Sequence, residues 1–435
     1  MQIRSRALPA VVCAVTLLVG SGTSVAQTQL ASPGSATAAS ADPPAPPAAD
    51  PPTPAAEPAA PPQAPPPQIT VSGTSEPDGF KMGDFRFKVG GRVKLDIIRD
   101  FKPIGSEDTF DVRTIPIPQA EGQNSTLNAK ETRLNVDIRG PVQGKELRVY
   151  VETDFYGSSA VLRLRHGYGQ WGAILAGQTW SAFVDEDNMP RTLDFEQPMA
   201  FASVRQAQVR FTAKTGEHSS AAFALEDNKS NISIPTNVSG KAEYPYPDVT
   251  ARYRFDDGKR HFQASGFLGG ARFRPTTGDP DSATLWGIGL SGKLSTAGRQ
   301  LGPVMTSDKD SGYATFTWGS GIGRYRGGPT AIPDPDNELN PIGGYAWMLG
   351  YEHFWSSVWS TNAVFSRANA SDEDFYTSAI NKNVDYGSVN LLYWFLGDHG
   401  YMGVEYLYGQ REVFGGGDDN ASAHRVMYAV RFNFP

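Results

Sequence analysis

Apolar and polar side chains alternate along short runs from about residue 85 to the end of the chain. In the run FRFKVGGRVKLDI, which begins at Phe85, the Phe, Val, Leu and Ile residues share one side, and the Arg, Lys and Asp residues share the other. The last run, RVMYAVRFNFP, alternates in the same way, with Val426, Tyr428 and Phe432 on its apolar side. A period of two predicts strands with two unlike faces. No ten-residue stretch has a helical period, so the pattern predicts an all-β fold.

The number of runs and the lengths of their connections point to a barrel. About sixteen runs, separated by Gly, Asn, Asp, Pro and Ser clusters, lie between residues 85 and 434. Short turns such as RGPVQGK and DDGKR alternate with long polar segments at 101–130, 227–248, 326–343 and 369–383. Single-chain barrels in outer membranes have an even strand number, short turns at one end and long loops at the other. We therefore predict a transmembrane antiparallel β-barrel of about 16 strands, closed by pairing the last strand with the first.

Aromatic side chains near strand ends fit this orientation. Tyr168, Phe255, Phe432 and Phe434 fall on the apolar parity, where a barrel in lipid places its interfacial girdles. The apolar faces are then expected to contact outer-membrane lipid. The final strand resembles the sorting signal read by the outer-membrane assembly machinery, although Pro435 follows the penultimate Phe434.

The first 78 residues differ in composition from the rest. Arg4 and Arg6 precede the apolar stretch ALPAVVCAVTLLVG, and Ser-Val-Ala ends at Ala26, which predicts a cleaved signal peptide over 1–26. Residues 27–78 are nearly all Pro and Ala, which predicts a disordered periplasmic tether that could contact peptidoglycan. The barrel domain is predicted over 79–435. Cys13, the single cysteine, lies in the signal, so no disulfide is expected.

Charge and hydropathy exclude several classes of protein. A net charge of -7 without a basic domain argues against nucleic acid as a partner. A mean hydropathy of -0.37 excludes a helical membrane protein with many spans. The histidines are scattered without a nucleophile motif, so we predict no enzyme, no catalytic residue, no metal site and no cofactor. They are His166, His218, His261, His353, His399 and His424.

Several segments together resemble the DcaP-like trimeric outer-membrane porin family. They are FRFKVGGRVKLDI, NAKETRLNVDIRGP, VYVETDFYG, LRLRHGYGQW, AGQTWSAFVDED, FASVRQAQVRF and GSGIGRY, spread over most of residues 85–434. The resemblance implies a homotrimer in the bacterial outer membrane that passes small hydrophilic solutes. Resemblance to general porins further implies that the third external loop, 181–201, folds into the lumen as a constriction. Its acidic residues are Asp185, Glu186, Asp187, Asp194 and Glu196.

Arginine recurs on the polar parity of strand after strand. We predict that these residues line the pore and favour small anions such as dicarboxylates, because a guanidinium stays ionised and binds carboxylate or phosphate through two hydrogen bonds. The set is Arg92, Arg133, Arg148, Arg163, Arg165, Arg205, Arg210, Arg252 and Arg254. In the run LRLR, residues 162–165, the leucines are expected to face lipid and the arginines the pore. The next residue, His166, is expected to point away from the arginines, as an interfacial residue.

Three alternatives to an anion-selective porin are also compatible with the sequence. The arginines could pair with Glu152, Asp154 and the loop acids only to rigidify the barrel. A secreted or outer-membrane β protein could instead use its 8 Trp and 17 Tyr as glycan-stacking platforms. A barrel hydrolase is the third alternative.

Overall fold

The structure is a computed structural model that describes residues 79–434, apart from 158–159, 229, 302–303, 372, 398 and 416–418. The predicted signal peptide (1–26), the tether (27–78) and Pro435 lie outside the described residues.

Sixteen long strands form one antiparallel barrel, as the alternating pattern predicted. In chain order they are β1 Phe85–Asp100, β2 Arg133–Val142, β3 Lys145–Asp154, β4 Arg163–Trp171, β5 Ile174–Trp180, β6 Arg205–Lys214, β7 Ser219–Glu226, β8 Asp248–Asp256, β9 Arg260–Pro275, β10 Asp281–Ser295, β11 Ser311–Ser320, β12 Gly343–Phe354, β13 Trp359–Ala370, β14 Asn381–Trp394, β15 Gly400–Val413 and β16 Asn420–Phe434.

The barrel closes between its last strand and its first. The register runs from Gly91 opposite Phe434 to Asp100 opposite Arg425. Each of the other strands pairs with its neighbours in sequence. The predicted closure is therefore confirmed, and it removes the free edge that an open sheet would expose.

Connections differ in length between the two ends of the barrel. At one end, most turns are short, as at 143–144, 172–173 and 257–259, although the β10–β11 connection is longer, at 296–310. At the other end, long segments at 101–132, 181–204, 227–247 and 321–342 leave the strands. We call these the short-turn end and the long-loop end.

The two faces of each strand carry different side chains. In β1, Leu95 and Ile97 point outward and are more than two-fifths exposed, whereas Lys94, Asp96 and Ile98 point inward and are buried. Successive side chains of a strand alternate between its faces. The apolar exterior and the largely polar interior follow directly from the sequence pattern.

Short elements complete the described part of the chain. The short strands are Phe80–Met82, Asn124–Asn128, Gly240–Glu243, Gln300–Leu301, Val304–Met305, Ala331–Pro333 and Leu339–Pro341, and the 3-10 helices are Val112–Thr114, Glu186–Asn188 and Ile322–Arg326. Over the residues described, no helix is long and apolar enough to cross a membrane.

The buried apolar residues lie inside the barrel, where loop segments pack on the inner wall. One cluster joins Phe110 and Ile115 of the connection at 101–132 to Leu193 of the connection at 181–204 and to Met427 of β16. A second cluster joins Phe183 and Phe201 to wall and loop residues that include Phe267 and Tyr325. These clusters hold the loops within the barrel.

Candidate functional site

The connection between β5 and β6, residues 181–204, lies inside the barrel, and we call it the lumen loop. It leaves the wall where the Ser181 N–H donates to the Val204 carbonyl at 3.2 Å. Asp185 is its first anchor, because both carboxylate oxygens lie 2.8 Å from His261 Nε2 of β9. Ser291 of β10 donates to the same carboxylate.

The middle of the lumen loop crosses to the next strands. The Asn188 side chain donates to the Ala314 carbonyl at 2.8 Å and to Thr315 Oγ1 at 2.7 Å, both in β11. Arg191 forms an ion pair with Glu352 of β12 at 2.9 Å. These contacts hold this part of the loop on the inner wall.

The far end of the loop is held by buried charges. The backbone N–H groups of Leu193 and Asp194 donate to the Glu405 carboxylate of β15 at 2.8 and 2.9 Å. Asp194 also forms an ion pair with Arg425 of β16 at 3.2 Å. Lys94 of β1 donates to the Leu193 carbonyl.

The loop then returns to β6. The Ala200 N–H donates to Ser366 of β13 at 3.0 Å, and the Ser203 N–H donates to the Tyr325 carbonyl at 3.1 Å. The Asn390 side chain of β14 donates to the Arg191 carbonyl at 2.8 Å. The lumen loop is thus anchored to every strand from β9 to β16, whereas the nine predicted arginines lie on β1 to β8.

The five predicted loop acids have different surroundings. Asp185 and Asp194 are buried anchors, and Glu196 forms an ion pair with Arg113 of the first long loop at 3.1 Å. Asp187 lies 2.6 Å from Arg254 of β8. The Glu186 side chain is exposed. At least three of the five therefore hold the loop in place.

Burial and hydrogen bonding shift the pKa values of these acids in different directions. Burial raises the pKa of Glu196 to about 7, against the opposing charge of Arg113. Burial also raises the pKa of Asp194, although the charge of Arg425 opposes the rise. For Asp185, burial acts upward, but hydrogen bonds from His261 and Ser291 outweigh it and lower the pKa.

Six of the nine predicted arginines are ion-paired. Arg163 and Arg165, the two arginines of the LRLR run, both pair with Asp154, at 2.7 and 2.8 Å, and Arg165 also pairs with Glu152 at 2.7 Å. The remaining pairs are Arg92–Glu131, Arg133–Glu152 at 3.6 Å, Arg148–Asp137 at 2.9 Å and Arg254–Asp185 at 3.3 Å. The alternative that arginines pair with Glu152 and Asp154 therefore matches the contacts of Arg163 and Arg165.

Arg210 and Arg252 differ from these six. Across the described residues, neither has a carboxylate within ion-pairing distance, and the Nε of each is buried without a hydrogen-bond partner. Arg210 makes one long hydrogen bond, of 3.4 Å, to the Trp180 carbonyl. The charges of both arginines act on Glu186 of the lumen loop. An acidic loop and a basic wall therefore face each other in this part of the lumen.

Arg205 does not follow the predicted parity. It lies on the side of β6 that carries Ala207 and the exposed Val209, opposite to the side of Arg210. Its guanidinium lies 4.3 Å from the centre of the Trp180 ring. Its charge nevertheless interacts with those of the inward Arg163, Arg165 and Arg133. Because Arg205 is the first residue of the strand, its side chain can lie beside the lumen arginines although its parity is opposite to that of Arg210.

A β-bulge overturns two sequence predictions in β4. The register shifts so that Glu152 pairs with His166 while Thr153 pairs with Leu164, which leaves Arg165 as the extra residue. A bulge reverses the parity beyond it. His166 is therefore buried beside Thr179, with 2.9 Å between Nδ1 and Oγ1, and is not interfacial. Tyr168 pairs with the inward Tyr150 and is not an outward girdle residue.

Sequence reasoning missed several anchors of the lumen loop. Arg425, His261 and Glu405 are all buried and all contact the loop. The only feature of the sequence that could have indicated them is their position on the polar side of alternating strands. Which loop atom each of them meets depends on the path of the loop, which alternation does not encode.

One group in the lumen has the spacing of a metal site. Single ligand atoms of Asp185, Asp187 and His261 lie within 4.8 Å of one another. However, Arg254 lies 3.3 Å from Asp185 and 2.6 Å from Asp187, so its guanidinium already neutralises these carboxylates. We interpret the group as an anchor that joins the loop to β8 and β9.

Comparison with known proteins defines the class. The crystal structure of the outer membrane channel DcaP of Acinetobacter baumannii shares 22% identity over 82% of this chain and 99% of its own, with a TM-score of 0.71. Outer-membrane expressed OmpT of Vibrio cholerae shares 12% identity over 82% of this chain and 99% of its own, with a TM-score of 0.52. No curated protein sequence matches the chain.

These similarities show the fold of a sixteen-stranded outer-membrane channel. The model of the DcaP outer membrane protein family matches residues 68–323, which is more than half of the chain. The chain belongs to the DcaP outer membrane protein family, and it is an outer-membrane porin and not an enzyme. The predicted family, fold and outer-membrane location are confirmed.

Proposed function

We propose that this porin favours small anions, such as dicarboxylates, as they pass between the lumen loop and the arginines of β1 to β8. The observation that carries the proposal is that Arg210 and Arg252 point into the lumen without an ion pair among the described residues. A guanidinium that is not ion-paired can offer its remaining donors to a passing carboxylate.

The charge on the opposite side supports the same proposal. Glu186 is exposed on the lumen loop and lies within electrostatic reach of Arg210 and Arg252. Opposed acidic and basic walls set up a transverse field that orients small polar solutes. The net charge of -7 does not oppose anion passage, because the charges at the narrowest part of a pore decide permeation.

The paired arginines add to the positive wall. Arg92, Arg133, Arg163 and Arg165 are four guanidinium groups, and the carboxylates paired with them are the three of Glu131, Glu152 and Asp154. We propose that the excess positive charge attracts anions to this region, and that the lumen loop is the constriction.

Liposome swelling tests the proposal. Liposomes that contain the purified protein should swell faster in isosmotic succinate than in 1,4-diaminobutane, a cation of similar length. Faster entry of the diamine would contradict the anion preference. Failure of both solutes to enter, together with exclusion of uncharged sugars, would contradict a diffusion channel.

We also propose that the protein forms a homotrimer in the outer membrane. One flank of the exposed apolar face, which otherwise contacts lipid, would be buried against neighbouring copies. Assembly would use the outer-membrane machinery that reads the last strand, and residues 27–78 would reach peptidoglycan after cleavage of residues 1–26. Mass measurement of the detergent-solubilised protein tests the trimer, and a single-copy mass would contradict it.

A further inference from the structure

A cavity lies at the long-loop end of the barrel, between the lumen loop and the β11–β12 connection. Its volume is about 70 Å³. Because about 10–15 Å³ is enough for one water molecule, the cavity has room for a small organic molecule. Its apolar wall includes Met199, Ile342, Ala368, Ala370, Ile380 and Val384.

Arg326 supplies an unpaired charge in this wall. It is the last residue of the 3-10 helix Ile322–Arg326. Its Nε and Nη1 are shielded from solvent, and neither has a hydrogen-bond partner among the residues that the structure describes. Burial lowers the pKa of Arg326 to about 10, with no contribution from a neighbouring charge. Leaving the donors of a shielded guanidinium without hydrogen-bond acceptors costs folding free energy. A ligand that accepts these hydrogen bonds would remove that free-energy cost.

Arg113 is the second guanidinium of the wall, but its donors are already used. Its Nε lies 2.7 Å from Asp111, its Nη2 lies 3.1 Å from Glu196, and its Nη1 donates to the main-chain carbonyl of Arg326 at 2.6 Å. Gly327 permits this approach, because its φ is 75° and a Cβ there would lie 1.7 Å from Arg113 Nη1. Arg113 therefore fixes the backbone of Arg326 and leaves the Arg326 side chain free.

We propose that this cavity binds a small organic carboxylate, with the carboxylate on Arg326 and the apolar body against Met199, Ile342 and Ile380. The planar guanidinium fits a carboxylate through two hydrogen bonds. The apolar wall favours a ligand with a short hydrocarbon part over inorganic phosphate. The site is separate from Arg210 and Arg252, and it does not depend on the ion preference of the pore.

Calorimetric titration of the purified full-length protein with butyrate at low salt tests this site. Arg326→Gln should weaken butyrate binding about tenfold or more, as expected for loss of a charged hydrogen-bonded partner. Arg272→Gln is the matched control, because Arg272 also lies near the long-loop end of the barrel, in β9. Its side chain bonds only Ser282 Oγ, at 3.0 Å, among the described residues. This control should bind like the wild type, and neutral butyramide should not bind.

Two further variants separate the cavity from the lumen. Ala370→Leu narrows the cavity without touching the guanidinium and should also weaken butyrate binding, whereas Arg252→Gln should leave it unchanged. Equal binding by the wild type and Arg326→Gln would overturn the proposal, as would the absence of saturable binding by the wild type. An unchanged single-channel conductance confirms that Arg326→Gln is folded.

Discussion

Arg425 of β16 and Asp194 of the lumen loop form an ion pair in which both side chains are fully shielded from solvent, with 3.2 Å between Nη1 and Oδ2. The same guanidinium binds both carboxylate oxygens of Asp100 in β1, at 2.7 and 3.0 Å. It also donates to the carbonyls of Ser106 and Glu107 in the first long loop. One side chain therefore joins the closing strands of the barrel to two loops.

Replacing Arg425 with methionine should release the far end of the lumen loop. Asp100 and Asp194 would lose a buried partner, and breaking a buried pair costs about 3–5 kcal/mol. We expect a lower unfolding temperature in detergent and a larger, noisier single-channel conductance. The double variant with Asp194→Asn should recover part of the stability, because one unpaired charge is removed. Unchanged stability and conductance in Arg425→Met would contradict the role of Arg425 as an anchor.

Replacing Arg163 and Arg165 with alanine should shift ion selectivity toward cations. The change removes two positive charges and exposes Asp154, whose side chain is now fully buried, and Glu152. Stability should fall as well, because Asp154 loses both of its arginines. Reversal potentials and thermal unfolding of the double variant measure the two effects. A lower stability with an unchanged selectivity would show that these residues are structural only.

Replacing Arg210 and Arg252 with glutamine should give a similar selectivity shift without the loss of stability. No ion pair is broken by this change, because neither residue has one among the described contacts. This variant removes the same number of lumen arginines as the Arg163 and Arg165 variant, so the two selectivity shifts can be compared. If the Arg210 and Arg252 variant unfolded at a lower temperature than the Arg163 and Arg165 variant, the distinction between paired and unpaired arginines would be wrong.

Anion preference should rise as the pH falls from 8 to 6. Burial raises the pKa of Glu196 to about 7, so acidification neutralises this carboxyl group in the lumen loop. An unfolded glutamate has a pKa of about 4.3, so the contribution of Glu196 to stability is fully present below that value and is lost as the pH rises through about 7. Glu196→Gln should weaken the pH dependence of both properties. If the variant kept the wild-type pH profile, another group would be responsible.

Much of the fold follows from alternation alone. The inward Lys94 and Asp96 and the outward Leu95 and Ile97 occupy the faces that the run beginning at Phe85 predicted. Hydrophobic burial and backbone pairing act on every strand in the same way, so sixteen weak patterns reinforce one another. Closure also follows, because an open edge in lipid would leave backbone groups unpaired.

The errors arise where one residue breaks the period. The extra residue Arg165 reverses the parity of His166 and Tyr168. No local feature of the sequence LRLRHGYG predicts this bulge. Arg205 lies on the parity opposite to Arg210, but it begins a strand, where the sheet no longer dictates side-chain direction, and its charge still interacts with those of Arg163 and Arg165. The Arg425–Asp194 pair joins residues 231 positions apart, so it depends on the path of the lumen loop within the barrel and not on any nearby pattern.

The reversal potential in a planar bilayer under a KCl gradient tests the central claim most directly. If the arginines of β1 to β8 determine the ion selectivity of the pore, the reversal potential should have the sign of chloride preference. This preference should weaken in the Arg210 and Arg252 variant. A wild-type potential with the sign of potassium preference would contradict the claim.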